Sequence, residues 1–193
     1  YFLNQFYSNY RIVRIGLTGL SSLEHYRLGQ CIAKAAEALG RRIAIIASGD
    51  LSHKLKADGP YGFAAEGPEL DARIIEAFKG GDFPALLRIP AAFADAAAEC
   101  GLRAFQIMAG ALDCRAISSE LLSYEGPFGV GYAVAFFQPQ GKDMGRDFGR
   151  QYARLREEQL AALREGEDAY IRLARLSIES YVSDGAYAEL PDF

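Results

Sequence analysis

Residues 43–53 read IAIIASGDLSH, five apolar residues followed by a small polar turn that ends in a histidine. The unbroken run from Ile43 to Ala47 predicts a strand covered on both faces, as in the centre of an α/β sheet. In open sheets of that kind, ligands collect in the crevice at the carboxyl ends of the strands. Ser48, Gly49, Asp50, Ser52 and His53 fall there. An imidazole titrates near about pH 6.5, so His53 can give or take a proton close to neutrality, with Asp50 available to orient or charge it. The same residues also describe a turn in which Asp50 or Ser52 caps local backbone groups and His53 is solvated.

Upstream of this stretch, Ile12 to Leu17 predicts a second strand and Thr18 to Ser22 a turn with a serine cap. Leu28, Cys31, Ile32, Ala35 and Leu39 then recur at helical spacing until Gly40 stops the helix. Strand, helix and strand in that order suggest a right-handed crossover unit closing on the Ile43 strand. Downstream, the chain is Gly/Pro-rich as far as Pro68, a loop long enough to fold over strand ends. Its Tyr61 and Phe63 either line an aromatic pocket or anchor the loop. Leu70, Ile74 and Phe78 mark a helix ended by Gly80-Gly81, and Phe83 to Leu87 a short helical turn. Two further helices are expected over 91–99 and 103–112. Strands over 117–124 and 131–137 then form a hairpin about Glu125–Gly129. The fold class is therefore α/β, a central sheet flanked by helices, over residues 1–139. A charged linker and helix over 140–166 and an amphipathic helix from Asp168 onward follow.

With 193 residues, half of them hydrophobic, the chain has ample material for a core, and disorder throughout is excluded. A net charge of −4, without a Lys/Arg run, disfavours nucleic acid as a partner. Cys31, Cys100 and Cys114 make neither a CxxC pair nor an even disulfide framework, which points to a reducing cytoplasm. The opening YFLNQFYSNYR is not a signal peptide, and no apolar run reaches the roughly 20 residues of a membrane span. The chain opens on Tyr and closes on ELPDF directly after a helix. Both ends look cut, so the α/β domain is expected to be truncated at its N-terminus.

Four segments carry a resemblance: SGDLSH at 48–53, GPYGFAAEGPELD at 59–71, AAECGLRAFQIMAGALD at 97–113 and LLSYEGPFGVGYAVAFF at 121–137. Together they resemble the class III extradiol dioxygenase B-subunit, or LigB-like, family, and within it the branch of Memo-type and AmmeMemoRadiSam system proteins. The stretch AYIRLARLSIESYV at 169–182 resembles the opening helix of the AMMECR domain, which some bacterial and archaeal proteins carry behind a LigB-like domain. On that resemblance, residues 167–193 are the start of an AMMECR-like domain.

The resemblance implies an enzyme that uses O₂ to cleave a small aromatic diol beside its hydroxyls, at a non-haem Fe(II) held by two histidines and one carboxylate. His53 matches by motif the histidine outside that triad, which handles substrate protons. Glu125 is the candidate carboxylate, with Glu120 as its nearby competitor and a solvated turn glutamate as the alternative. The family's two histidine ligands lie before residue 1, so this chain alone is expected to be inactive. His25, in SSLEHYRLG, is expected on the first turns of a helix as a surface or capping residue. A second reading follows from the Memo-type relatives: a scaffold that binds a metal or a partner and works with the radical-SAM component of its system. A hydrolase using Ser52 and His53 is disfavoured, because neighbours on a turn seldom face each other and no GxSxG elbow is present.

Overall fold

The computed structural model describes residues 2–187; the last six residues of the expected AMMECR-like segment lie outside the described residues. The chain divides into two compact units, Tyr1–Arg146 and Asp147–Phe193. The fold class is mixed α/β.

In the first unit, a short helix α1 (Phe2–Phe6) precedes α2 (Ser22–Ala38). Ser21 starts α2 by accepting the Glu24 backbone N–H at 3.3 Å, and the Glu24 carboxylate returns the bond to Ser21 N at 2.8 Å. This reciprocal box satisfies two of the donors that every helix start leaves open. These bonds hold the Glu24 carboxyl below its ordinary value. Ser21→Ala is expected to lower the urea midpoint, since a lost N-cap typically costs about 1 kcal/mol, while Ser21→Asp retains it.

Helices α3 (Glu66–Gly80), α4 (Phe83–Arg88), α5 (Ala91–Ala97) and α6 (Leu102–Ala111) follow. Gly81, at φ 60°, ends α3 in the left-handed conformation that glycine adopts without strain. The core lies between α2, these helices and one face of a hairpin. Tyr26, Leu70, Ile74, Phe83, Leu86 and Leu87 are almost wholly buried. Phe78 meets Phe105 and Phe137 edge to face, with ring centroids 5.2 and 5.5 Å apart. The hairpin strands β1 (Arg115–Glu125) and β2 (Tyr132–Lys142) pair antiparallel, with bulges after Ala116 and Leu121.

The expected strands over Ile12–Leu17 and Ile43–Ala47 are not formed, and with them goes the crossover unit they were to close. Both stretches lie outside regular elements. Ile43 is 50% and Ile46 71% exposed, where a central strand would bury both. An apolar run reports what a segment can bury. A strand also needs a neighbour that takes its backbone N–H and C=O groups. Among the described residues, the β1–β2 pair is the only sheet, so neither run has a ladder to join. Helix α2 between them forms, but Leu28, Cys31 and Ala35 of the expected apolar stripe are exposed and the helix buries His25, Tyr26 and Gly29 instead.

The second unit holds α7 (Phe148–Glu165) and α8 (Ala169–Asp184). Asp147 and Asp168 cap them by accepting the backbone N–H groups of Arg150 and Ile171. Arg175 lies against both Glu167 and Glu179, and Arg164 also reaches Glu179. Ile171 and Ile178 of α8 remain more than half exposed. No helix among the described residues is long and apolar enough to cross a membrane.

Candidate active site

The turn after residue 47 is fixed against the chain segment that joins α5 to α6. Asp50 N donates to Cys100 Sγ at 3.1 Å, and Cys100 N donates to Asp50 O at 3.3 Å. Three residues on, His53 N donates to Ala97 O at 3.2 Å. The backbones touch: a Cβ on Gly49 would fall within 3.0 Å of Gly101 Cα, so only glycine permits this approach. Residues 51–55 are held on their other side by the hairpin. Leu51 N and Leu55 N donate to Gly131 O and Gly129 O, and Gly131 N donates to Ser52 O at 2.7 Å.

This double clamp presents three polar side chains to one point. Asp50 Oδ2 lies 3.4 Å from His53 Nε2, and Cys100 Sγ lies 3.9 Å from the same nitrogen. The Tyr61 ring sits 5.0 Å from the imidazole, tilted by 32°. The structure thus brings together Asp50, His53 and Tyr61, three of the residues singled out in the sequence, and adds Cys100. Phe63 is on the same loop, where its backbone bridges Leu55, but its side chain is 58% exposed. Glu125 is exposed at the end of β1 and pairs with Tyr132, the neighbour of the Gly131 that clamps Leu51 and Ser52. Glu120 is also exposed and pairs further along the hairpin with Phe136.

Two side-chain readings change. His25 is not a surface residue: it is 2% exposed, with Nδ1 3.0 Å from Ser21 O and Nε2 3.4 Å from Thr18 Oγ1. A carbonyl oxygen only accepts, so Nδ1 carries the proton and the ring pins the entry to α2. Ser52 is fully buried, its hydroxyl donating to Ala97 O at 2.8 Å and accepting from Lys54 N at 2.9 Å. A hydroxyl committed in this way is not a nucleophile, and the Ser52–His53 hydrolase falls.

Beneath the site lies a residue the sequence reading passed over. Asp71 of α3 is 1% exposed; Oδ1 accepts from Ser52 N at 2.8 Å, and Oδ2 accepts from the Tyr124 hydroxyl at 2.7 Å. It joins the backbone preceding His53 to the strand end preceding Glu125. Burial raises the Asp71 carboxyl above its ordinary range, opposed by those two hydrogen bonds and by the nearby His53. Burial and the Asp71 contact likewise push the Tyr124 hydroxyl up. Cys100 was passed over for a different reason, since a cysteine 47 positions from His53 has no local spacing to announce it. Its only signal is the Gly101 beside it, a glycine the backbone approach requires.

Residues 1–135 match the family described as the catalytic LigB subunit of aromatic ring-opening dioxygenase. The chain belongs to that family. A LigB-family chain is related to ring-opening dioxygenases, which generally use non-haem iron and act on small aromatic substrates. This chain is also similar to a protein of Clostridium acetobutylicum whose name states no activity, at 37% identity over 194 residues covering all of this chain. The chain spans 41% of that relative's length. A two-histidine, one-carboxylate iron site cannot be assembled from its own residues. It has two histidines, and one of them, His25, is buried against Ser21 and Thr18. The iron chemistry of the family therefore does not fit this chain's donors alone.

Proposed function

We propose that this chain is the proton-handling part of an extradiol-type dioxygenase that opens a catechol-like ring with O₂. The observation that carries the reading is the packing of Asp50 and Tyr61 about His53, within the segment that matches the ring-opening family. His53 accepts a proton from a substrate hydroxyl and later returns it. Asp50, 3.4 Å from Nε2, holds the ring in place during that interval. Tyr61, with Phe63 on the same loop, contacts the aromatic ring. Glu125 would supply the carboxylate ligand of an Fe(II) site whose other ligands this chain does not contain. In the domain reading, residues 1–139 belong to the LigB-like domain, 140–166 to a linker and 167–193 to the start of an AMMECR-like domain. The proposal takes the whole protein to be cytoplasmic and to work in the AmmeMemoRadiSam system.

A longer protein containing this chain, purified without oxygen and supplied with Fe(II), tests the assignment. His53→Ala is expected to keep its iron and lose about 10²- to 10⁴-fold in catechol turnover, the usual range for a missing general acid/base. Glu125→Ala is expected to lose the iron, because the site forfeits both charge and a coordination position. Iron lost with His53 would make that residue a ligand and overturn its role. A second reading is the Memo-like scaffold acting with a radical-SAM component, which a longer protein lacking the two histidine ligands would favour. Wild-type protein that binds no iron and cleaves no diol would select it.

A further inference from the structure

We propose that residues 12–17 and 43–47, together with the open side of α2, form a docking surface for β-strands supplied by further sequence of a longer protein. Neither run makes an intramolecular backbone hydrogen bond among the described residues, so each offers a row of free N–H and C=O groups. Such a row is what a pairing strand takes up. Ile12 is 68% and Val13 83% exposed, and Ile43 and Ile46 are exposed as well. Side chains alternate between the faces of a strand, which puts Ile12 opposite Val13 and Ile43 opposite Ile46. Each run therefore brings uncovered apolar groups to both of its faces.

The occupant follows from that chemistry. A second copy or a loose peptide joins one edge of a run and leaves its faces in water, whereas a run apolar on both faces suits an internal strand with neighbours beside it and layers over it. Helix α2 is placed to be one of those layers. One side of it is packed on α6, where Gly29 meets Ile107 and Ala111, while Leu28, Cys31 and Ala35 lie exposed on the other. Run, helix and run stand in the order in which a crossover helix covers a parallel pair of strands. There is sequence to supply the neighbours, since the Clostridium relative matches all of this chain and yet the chain spans only 41% of its length. Pairing of the second run would also anchor the turn at Asp50 and His53 that follows it. The surface itself stands on backbone and exposure, whatever reaction His53 serves.

Hydrogen exchange of the 193-residue chain and of a longer protein containing it tests the proposal. The amides of both runs are expected to exchange freely in the shorter chain and at least about 10²-fold more slowly in the longer one, with α3 protected in both. Ile46→Asp is expected to leave the urea midpoint of the shorter chain unchanged, because that side chain is already in water, and to lower the midpoint of the longer protein, where Ile46→Val retains it. Free exchange of both runs in the longer protein would overturn the proposal, as would wild-type stability of its Ile46→Asp variant. Protection in the shorter chain that vanishes on dilution would give the surface to a second copy and overturn it too.

Discussion

Gly110→Val is expected to unfold most of the protein, or to lower its stability by about 3 kcal/mol or more in urea denaturation. Helices α2 and α6 cross at Gly29 and Gly110 with their backbones in contact. A Cβ on Gly110 would fall within 3.0 Å of the Tyr26 carbonyl, and one on Gly29 would fall as close to Ile107 O and Ala111 N. Backbone atoms cannot swing aside as a flexible side chain does, so relief requires the two helices to separate and opens the core around Tyr26. Overpacking of this kind costs about 1–3 kcal/mol, more when backbone must move, out of a total of about 5–15. The sign is diagnostic. Gly80, also helical, has open space where a Cβ would go. Gly80→Ala is expected to stabilise by up to about 1 kcal/mol, because it restricts the unfolded chain and improves helix propensity. A Gly110→Ala variant that gained stability as well would show that the close crossing is not formed.

The second large effect is expected at Asp71. Its removal as Asp71→Ala strands the Ser52 N–H and the Tyr124 hydroxyl, both partnered by this one carboxylate. The buried Ser52 N–H left without its bond costs about 1–3 kcal/mol and the half-exposed Tyr124 hydroxyl less, so a loss of about 1–3 kcal/mol is expected. Asp71→Asn is milder, since an amide accepts from Ser52 N and donates to the Tyr124 oxygen, which can also accept. The two variants separate in pH dependence. Burial raises the folded-state carboxyl above its ordinary value of 3.8, so the folded chain holds this proton to higher pH than the unfolded chain does. Its contribution is full below about pH 4 and is lost as pH rises through the raised value. Denaturation midpoints of the wild type, followed from pH 4 to pH 8, are expected to contain this decline, and those of Asp71→Asn to lack it. A difference between the two that stayed constant over that range would refute the titration.

Helices α2 to α8 and the hairpin, though not the short α1, could be read from the sequence because their instructions are local. Leu70, Ile74 and Phe78 stand on one side of α3 whatever packs there, and Gly81 ends it by its own backbone freedom. Ile43 to Ala47 misled because an apolar run specifies a covered environment while the ladder must come from elsewhere in space. The cluster around His53 was legible at Asp50, three residues away, and at Tyr61 in the following loop. Cys100 and Asp71 were not, since their roles arise only when chain segments 19 to 50 positions apart are stitched together. Asp71 reads in sequence as an ordinary acidic residue on an amphipathic helix. Its burial is a property of the tertiary structure.

The stretch without a ladder also bears on how the protein behaves in concentrated solution. Ile43 to Ala47 is uncharged, free of proline and rich in β-branched residues, the composition that stacks into cross-β fibrils when left accessible. Arg41 and Arg42 stand directly before it and Asp50 shortly after, charges that work as gatekeepers against self-stacking. Neutralising the arginine pair would therefore convert a soluble preparation into one prone to fibre formation, while every helix around the site keeps its own contacts.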